Sequence, residues 1–411
     1  MMRQLIIFKQ NNFMKAGTFF FIISFLIFNE LQAQQQPVII PGQYIVIVKE
    51  SAAQPVAKRP NRSFNRIRNE DTVYRNQNFA KIKEIKTRQG IGAANIILEY
   101  ADIVVGFSAR LSSDEADRLK KDKDVKAVYP DYVITAADYK PGTVAPTAAP
   151  AGQTEDCAVV TAGHFSDGSA KYTWIWIMDT GIDLDHPDLN VQVDSPYMKS
   201  FTGEPVDDQN GHGTHVAGIA AAKNNDFGVV GVSAGAKVVP VKVLSNAGPG
   251  QESWIIAGLN HIARYAIPGD VINMSLGSYN ILPCSFFPEE NTALTNLGKL
   301  GIWVVMAAGN NAGDANFVHP GCLNGDRIFT VGAMDCAIQC ASFSNFGSNV
   351  DYVTVGVNVF STFMNGGYTV LSGTSMATPV LSGLLHQLNN YPPSHSVISC
   401  KGAVYKIPTK N

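Results

Sequence analysis

Between residues 157 and 390, short apolar runs alternate with helical patterns, and no other feature restricts the fold so tightly. The runs lie at 173–178, 238–244, 271–274, 302–308 and 328–331, with apolar residues at helical spacing in 214–223, 253–265, 291–300 and 376–388. Runs that are short and apolar throughout, rather than alternating with polar residues, suit strands covered on both faces. Strands joined through helices can pair in parallel, because each crossover returns the chain to the same end of the sheet. The pattern predicts an α/β domain over 157–390, a parallel sheet flanked by helices whose ligands bind beyond the carboxyl ends of its strands.

Residues 38–137 follow a different pattern. Stretches 44–48, 101–109 and 125–134 are rich in β-branched and aromatic residues and read as strands. Stretches 76–88 and 112–121 read as helices, the second opened by capping chemistry at Ser112-Ser113-Asp114-Glu115. A small α+β unit with a ferredoxin-like order is expected. Residues 138–156, rich in Pro, Ala, Gly and Thr, predict a linker. Residues 391–411 hold three prolines and little periodicity, and predict a C-terminal tail.

At the N-terminus, Arg3, Lys9 and Lys15 precede an apolar run at 18–28, and Ala33 offers a small residue for cleavage before Gln34. These features predict a signal peptide over 1–33, with Met14-Lys15 a better placed start than Met1. The apolar run is short against the roughly 20 residues of a spanning helix. A secreted, extracellular protein is expected, free of the membrane once the leader is removed; a membrane anchor is the lesser alternative. The six cysteines (Cys157, Cys284, Cys322, Cys336, Cys340, Cys400) are an even number in an exported chain and read as disulfides rather than buried thiols, with every pairing open. Cys336 and Cys340 are near enough in sequence to close a small loop. The absence of a CxxC pair argues against a zinc ribbon.

Three motifs fall where the predicted sheet places a site. Asp179-Thr180-Gly181-Ile182-Asp183 follows the first strand of the alternating region, so Asp179 is held by a rigid element and largely desolvated. Asn210-Gly211-His212-Gly213-Thr214-His215 sets His212 at the start of a helix. Ser372-Gly373-Thr374-Ser375-Met376-Ala377-Thr378-Pro379 sends Ser375 into an apolar helix, whose N-terminal N–H groups face a developing negative charge. A serine is a weak nucleophile unless an imidazole takes its proton and a carboxylate holds that imidazole in one tautomer. Here the acid, the base and the hydroxyl come in the chain order Asp, His, Ser.

In these motifs, their order and their spacing, residues 173–388 resemble the subtilisin-like serine proteases, the proteinase K-like branch most. The resemblance implies a subtilisin-like fold and a serine endopeptidase that hydrolyses extended peptide through an acyl-enzyme. It also implies roles: Asp179 as orienting carboxylate, His212 as base and Ser375 as nucleophile. Ala307-Ala308-Gly309-Asn310 matches the family's oxyanion segment, with Asn310 as side-chain donor. Ser275, Leu276 and Gly277 match one substrate-binding edge, and Gly248, Gly250 and Glu252 the opposing one, so that a bound peptide joins as a strand. No cofactor is implied for catalysis; a structural calcium ion is implied at Asp351, with carbonyls near Asp326 and Ile328. The unit before the linker resembles the family's inhibitor propeptide, which implies a self-processing precursor cleaved near 134–138. Its expected partners are protein or peptide substrates and its own propeptide, as intramolecular inhibitor.

The chain departs from the family pattern in places. Glu252 stands where relatives often carry an aromatic at the rim of the subsite for the fourth residue before the cut, which implies a taste for a basic side chain there. Val380 replaces a histidine that many relatives have, away from the triad, and a segment at 283–290 carrying Cys284 follows the substrate edge. His215 reads as a structural histidine rather than half of a metal pair, since no HExxH glutamate accompanies it. His186 is given no catalytic role. His164 and His319 read as surface residues without partners, and Asp183, Asp185 and Asp188 as solvated loop carboxylates.

Composition excludes wholesale disorder, with 45% hydrophobic and 16% charged residues. The net charge of −2 argues against a nucleic-acid coat or polybasic membrane binder. That total hides two halves. Residues 38–137 hold 17 Lys/Arg and 12 acids, whereas 138–411 hold 12 Lys/Arg and 21 acids. A basic inhibitor and an acidic protease attract each other. A nucleic-acid-binding role for the basic unit lacks the expected aromatic motif, and an inactive binding relative sits poorly with an intact triad.

Overall fold

The structure, a computed structural model, describes residues 38–53, 55, 66, 69–135, 140, 141, 147–279 and 284–411. The predicted leader at 1–33, parts of the linker and of the cleavage region, and the start of the 283–290 segment lie outside the described residues.

The N-terminal unit runs β1 (Ile39–Val48), α1 (Asn69–Gln89), β2 (Ile96–Ala101), β3 (Val105–Arg110), α2 (Ser113–Lys120) and β4 (Val125–Ile134). Its strands pair antiparallel in the order β4-β1-β3-β2, with Val46 opposite Phe107 on one side and Val128 on the other. The capping box expected at Ser112 and Glu115 is formed. Ile82, Ile85 and Leu119 of the helices pack on Val46, Phe107 and Val125 of the sheet, which gives the unit its own core.

One expected strand, 101–109, is in fact two strands around a turn at Asp102, Ile103 and Val104. Ile103 and Val104 read as strand because they are apolar, and they are buried against the second domain, 1% and 4% exposed.

After β5 (Lys140–Pro141) comes the α/β domain: β6 (Ile175–Asp179), α3 (His212–Ala221), β7 (Lys237–Lys242), β8 (Gly250–Gln251), α4 (Glu252–Tyr265), β9 (Val271–Met274), α5 (Pro288–Lys299), β10 (Trp303–Ala307), β11 (Ile328–Met334), β12 (Tyr352–Val355), β13 (Gly367–Ser372) and α6 (Thr374–Leu388). Strands β12-β11-β10-β9-β6-β7 lie side by side, all parallel. Every residue of β6, β9, β10 and β11 is buried, as uniformly apolar runs require. Alternate side chains feed opposite faces. Ile175 and Ile177 meet Val216 of α3 and Leu381 of α6; Trp176 and Met178 meet Ile255 of α4 and Leu294 of α5.

Residues 391–411, expected as a tail, are not one. Ser396–Cys400 (β14) and Ala403–Ile407 (β15) form an antiparallel hairpin, and β15 continues the sheet beyond β12. The residues alternate, with Ile398, Tyr405 and Ile407 inward and Val397 and Val404 exposed, a two-residue period too brief to stand out among prolines. Of the open pairings, the small loop that Cys336 and Cys340 could have closed is not formed. A turn at 335–339 sends the two apart, Cys336 to Cys157 and Cys340 to Cys400, and the third bridge joins Cys284 to Cys322.

Candidate active site

Asp179 ends β6 and His212 opens α3, so a strand end and a helix start bring them together. His212 Nδ1 lies 2.7 Å from Asp179 Oδ1, with both side chains buried. The same oxygen accepts the Thr180 N–H at 2.7 Å. Burial pulls the imidazole down, but the charge and hydrogen bond of Asp179, with Asp208 farther off, outweigh it and leave His212 above its ordinary value. Gly213 sets how closely α3 approaches: a Cβ there would stand 2.1 Å from the Gly181 carbonyl oxygen.

Asp208, which the sequence reading missed, builds the loop ahead of the helix. Its Oδ1 accepts from Thr180 Oγ1, Asn210 N–H and Gly211 N–H, each at 3.0 Å, and its Oδ2 accepts from Thr214 N–H at 3.0 Å and Thr214 Oγ1 at 2.7 Å. The signal was an Asp two residues before Asn210, where its side chain can hold the backbone of a turn.

Ser375 is the second residue of α6, among the first N–H groups that a helix leaves unpaired. Its Oγ donates to the Ser275 carbonyl at 3.2 Å, and Ser275 Oγ donates back to the Ser375 carbonyl at 2.9 Å. Thr374, also missed from sequence, joins this loop to the segment after β10. Its N–H and Oγ1 donate to Asn310 Oδ1 at 2.8 and 3.0 Å, and its Oγ1 accepts the Gly309 N–H at 3.1 Å. Ala307 closes β10 and the Ala308 N–H donates to Val331, so Asn310 projects from the sheet's carboxyl edge.

The two expected peptide-binding edges already hold a strand. On one side Gly250 and Gln251 pair antiparallel with Ile134 and Val133 of β4. Gly250 is obligatory, since a Cβ would lie 2.3 Å from the Val243 carbonyl oxygen; Gly248, at φ +105°, shapes the turn before it. On the other side the Gly277 N–H donates to the Thr135 carbonyl at 3.0 Å, and Thr135 Oγ1 donates to the Gly277 carbonyl at 3.2 Å. Ser275 and Leu276, buried, lead from β9 into this edge. Beyond Ser375, Lys140 and Pro141 pair with Ser372 and Leu371 of β13. Asp131 Oδ1 accepts the Ser253 N–H at 3.0 Å, so the N-terminal unit caps α4 of its neighbour.

Residues 170–404 match the subtilase family and residues 43–137 match the peptidase inhibitor I9 family. The chain belongs to the subtilase family. Subtilisin amylosacchariticus from Bacillus subtilis subsp. amylosacchariticus is 36% identical over 312 residues, 74% of each chain. The major intracellular serine protease of Bacillus subtilis (strain 168) is 39% identical over 226 residues, 52% of this chain and 67% of that one. Among solved structures, a cold adapted subtilisin-like serine proteinase superposes with a TM-score of 0.50 at 29% identity, over 60% of this chain and 90% of that one. The protein is therefore a subtilisin-like serine protease that carries an inhibitor propeptide ahead of the subtilase domain, and the β1-to-β4 unit is that propeptide.

Other predicted residues fall differently in this subtilase. His215 is buried with Nε2 3.1 Å from the Thr369 carbonyl; burial pushes it down to about 3. His186 Nε2 is 3.1 Å from the Gly367 carbonyl, and His164 is exposed beside Glu155. Asp183 and Asp188 are buried rather than solvated, accepting the Gly366 and Val229 N–H groups. His319 is not a surface residue: it is 1% exposed and stacks on Phe287. Glu252 is no open rim either. It lies fully buried near Glu290 and His319 under the propeptide strand, and the residue opposite Gly250 is the apolar Ile134. Burial pushes Glu252 well up, Glu290 up to about 8 and His319 down to about 3.

Proposed function

We propose that the chain is a secreted endopeptidase precursor in which Asp179, His212 and Ser375 form the catalytic triad and the first bond cut is Ala137–Asp138. The observation that carries this is the strand already lying between the two edges. Thr135 faces Gly277; continuing that antiparallel register, one residue forward for each residue the edge recedes, assigns Ala137 to Ser275. The Ser275 carbonyl is the group that meets Ser375 Oγ. On this register the carbonyl of Ala137 is the one offered to the nucleophile.

Ser375 Oγ attacks that carbonyl carbon while its proton passes to His212 Nε2. The negative charge that forms on the carbonyl oxygen takes hydrogen bonds from the Ser375 N–H and from Asn310 Nδ2, which is turned away from Thr374 because the amide oxygen is held there. Collapse breaks the C–N bond, and His212 gives its proton to the Asp138 nitrogen. Water, deprotonated by His212, then attacks the acyl carbon, the ester bond to Ser375 Oγ breaks, and His212 returns the proton to that oxygen. Asp179 holds the imidazole by Nδ1 and stabilises its charged form. The acid, base and donors are all protein groups, so the chemistry requires no cofactor.

We propose a structural calcium ion at Asp351. That residue is partly buried, one oxygen accepts the Thr330 N–H at 2.8 Å, and burial pushes its carboxyl up to about 6. A carboxylate with backbone carbonyls is an all-oxygen set suited to a hard cation. Secretion rests on the leader; among the described residues no helix is long and apolar enough to cross a membrane.

The test is to express wild type and Ser375→Ala and to sequence the N-termini of what is exported. Wild type should yield a domain starting at Asp138 and Ser375→Ala a full-length chain starting at Gln34. A wild type that stays full length and escapes a serine-directed phosphonate sinks the reading.

A further inference from the structure

Glu252, Glu290 and His319 meet behind the half of the cleft that β4 occupies. One ligand atom of each lies within 4.8 Å of the other two, and all three residues are buried. Glu252 opens α4 directly after the β8 edge, Glu290 lies in the first turn of α5, and His319 pairs with Ser278, the neighbour of Gly277. The Cys284–Cys322 bridge ties the approach to α5 to the segment that carries His319. The cluster thus spans both edges that grip the peptide.

Within the trio the mutual hydrogen bond is a proton shared between the Glu252 and Glu290 carboxyls, which a bound cation would displace. Among the described residues no donor from outside the trio reaches either oxygen of Glu252 or Glu290, and neither ring nitrogen of His319 makes a hydrogen bond. His319 Nδ1 comes within 3.2 Å of Glu290 Oε2 but off the line a hydrogen bond needs. Nearby charges do not compensate: Lys126 is engaged by Glu289 Oε1 at 3.1 Å, and Asp131 on β4 adds a further acid beside Glu252. Buried polar groups left this way are rare and call for a partner. Tetrahedral zinc, with bonds of roughly 2.0–2.2 Å, keeps its ligands about 3.3–3.5 Å apart. The off-line approach of His319 to Glu290 is close to that spacing. Two carboxylates and one imidazole suit zinc, whereas calcium prefers about six to eight oxygens. Phe287, stacked on His319 at 3.9 Å, fixes the plane of the ring.

We propose that Glu252, Glu290 and His319 form a divalent metal site of the zinc class that bridges the two edges of the peptide cleft and is covered by the propeptide strand in the precursor. Joining Glu252 to His319 fixes the spacing of those edges where Ile134, the fourth residue before the proposed cut, pairs with Gly250. The ion therefore acts on peptides long enough to reach that point. This consequence rests on the cleft reading above; binding does not.

The site is tested by stripping metal with EDTA, incubating overnight with ZnCl2 or CaCl2, desalting and counting bound metal. Mature enzyme and the full-length Ser375→Ala chain are both used, so failure of the protease reading and failure of the metal site give different results. One zinc ion per chain is expected in both forms, undisplaced by excess calcium. Glu290→Gln and His319→Gln, each checked for folding by thermal melting, should bind at least tenfold more weakly. In mature enzyme, zinc should change kcat/KM for a tetrapeptide anilide and leave a dipeptide anilide unaffected. No uptake by the parent chains, undiminished uptake in both variants, or equal inhibition of both substrates overturns the proposal.

Discussion

Asn260, inside α4 of the protease domain, sets its side-chain oxygen on three successive N–H groups of the propeptide, those of Asp102, Ile103 and Val104, at 3.0, 3.0 and 3.3 Å. Its amide nitrogen donates to the Ile256 carbonyl at 2.9 Å, which fixes the oxygen outward. The turn between β2 and β3 therefore obtains from the partner domain the acceptor that its own apolar side chains cannot supply. Asn260→Ala strands buried N–H groups that cost about 1–3 kcal/mol each when unsatisfied. The cleaved propeptide should leave at least about tenfold faster, seen as a shorter lag between the cleaved band and full activity in a maturation time course.

Arg66 makes a second, remote anchor. Its Nη1 and Nη2 reach Asp270 at 2.6 and 3.0 Å, and its guanidinium lies 3.4 Å over the Trp174 ring. Asp270 precedes β9, so the contact sits at the end of the sheet opposite the nucleophile. Arg66→Ala leaves a buried carboxylate without its cation, a loss of about 3–5 kcal/mol. Arg66→Lys should restore little, because an ammonium can neither fork nor stack. The measurement is residual activity of freshly cleaved, undissociated enzyme, which should rise in both variants.

With His212 as the proposed base, the acid limb of the activity profile should follow its titration. The base must be neutral to accept the serine proton, and Asp179 raises it above 6.5 against the pull of burial. Activity should therefore fall as pH drops through a value above 6.5. Asp179→Asn removes the charge that raises it, so the limb should move to lower pH while kcat drops about 10⁴-fold. An unmoved limb would assign the titration to another group.

On the proposed mechanism Asn310→Ala removes one donor to the oxyanion and should lower kcat about 10²–10³-fold, the general size for such a donor, with KM little changed. Steady-state kinetics on a tetrapeptide anilide reads this directly.

The C-terminal hairpin is fastened by Cys340–Cys400, which closes a span of 60 residues. Replacing both cysteines by serine should cost about 4 kcal/mol by the loop-entropy relation and lower Tm accordingly. An unchanged Tm would mean that the hairpin holds by packing alone.

The parallel sheet was legible because burial on both faces leaves runs such as 302–308 uniformly apolar, and the strand Trp303–Ala307 falls within that run. The three site motifs were legible because each places a chemical group at a strand end or a helix start. What escaped was set by partners distant in sequence. The turn at 102–104 is held by Asn260, which accepts its backbone N–H groups. His319 looks idle until Glu290 and Glu252 fold beside it. The last hairpin alternates over only five residues per strand and is joined to the sheet by Tyr352 opposite Lys406. Asp208 and Thr374 make no chemistry of their own, and only their hydrogen bonds show that they position the residues that do.

One chain fills the cleft on both sides of Ser375, with Ile134 on the β8 edge and Lys140 on β13. The first bond broken therefore belongs to the molecule that breaks it. Its rate should be first order and indifferent to dilution, set by geometry rather than encounter. Every molecule carries its own first substrate at unit occupancy. Digestion of other proteins begins as a second, bimolecular phase, at a time fixed by how slowly the severed strand lets go.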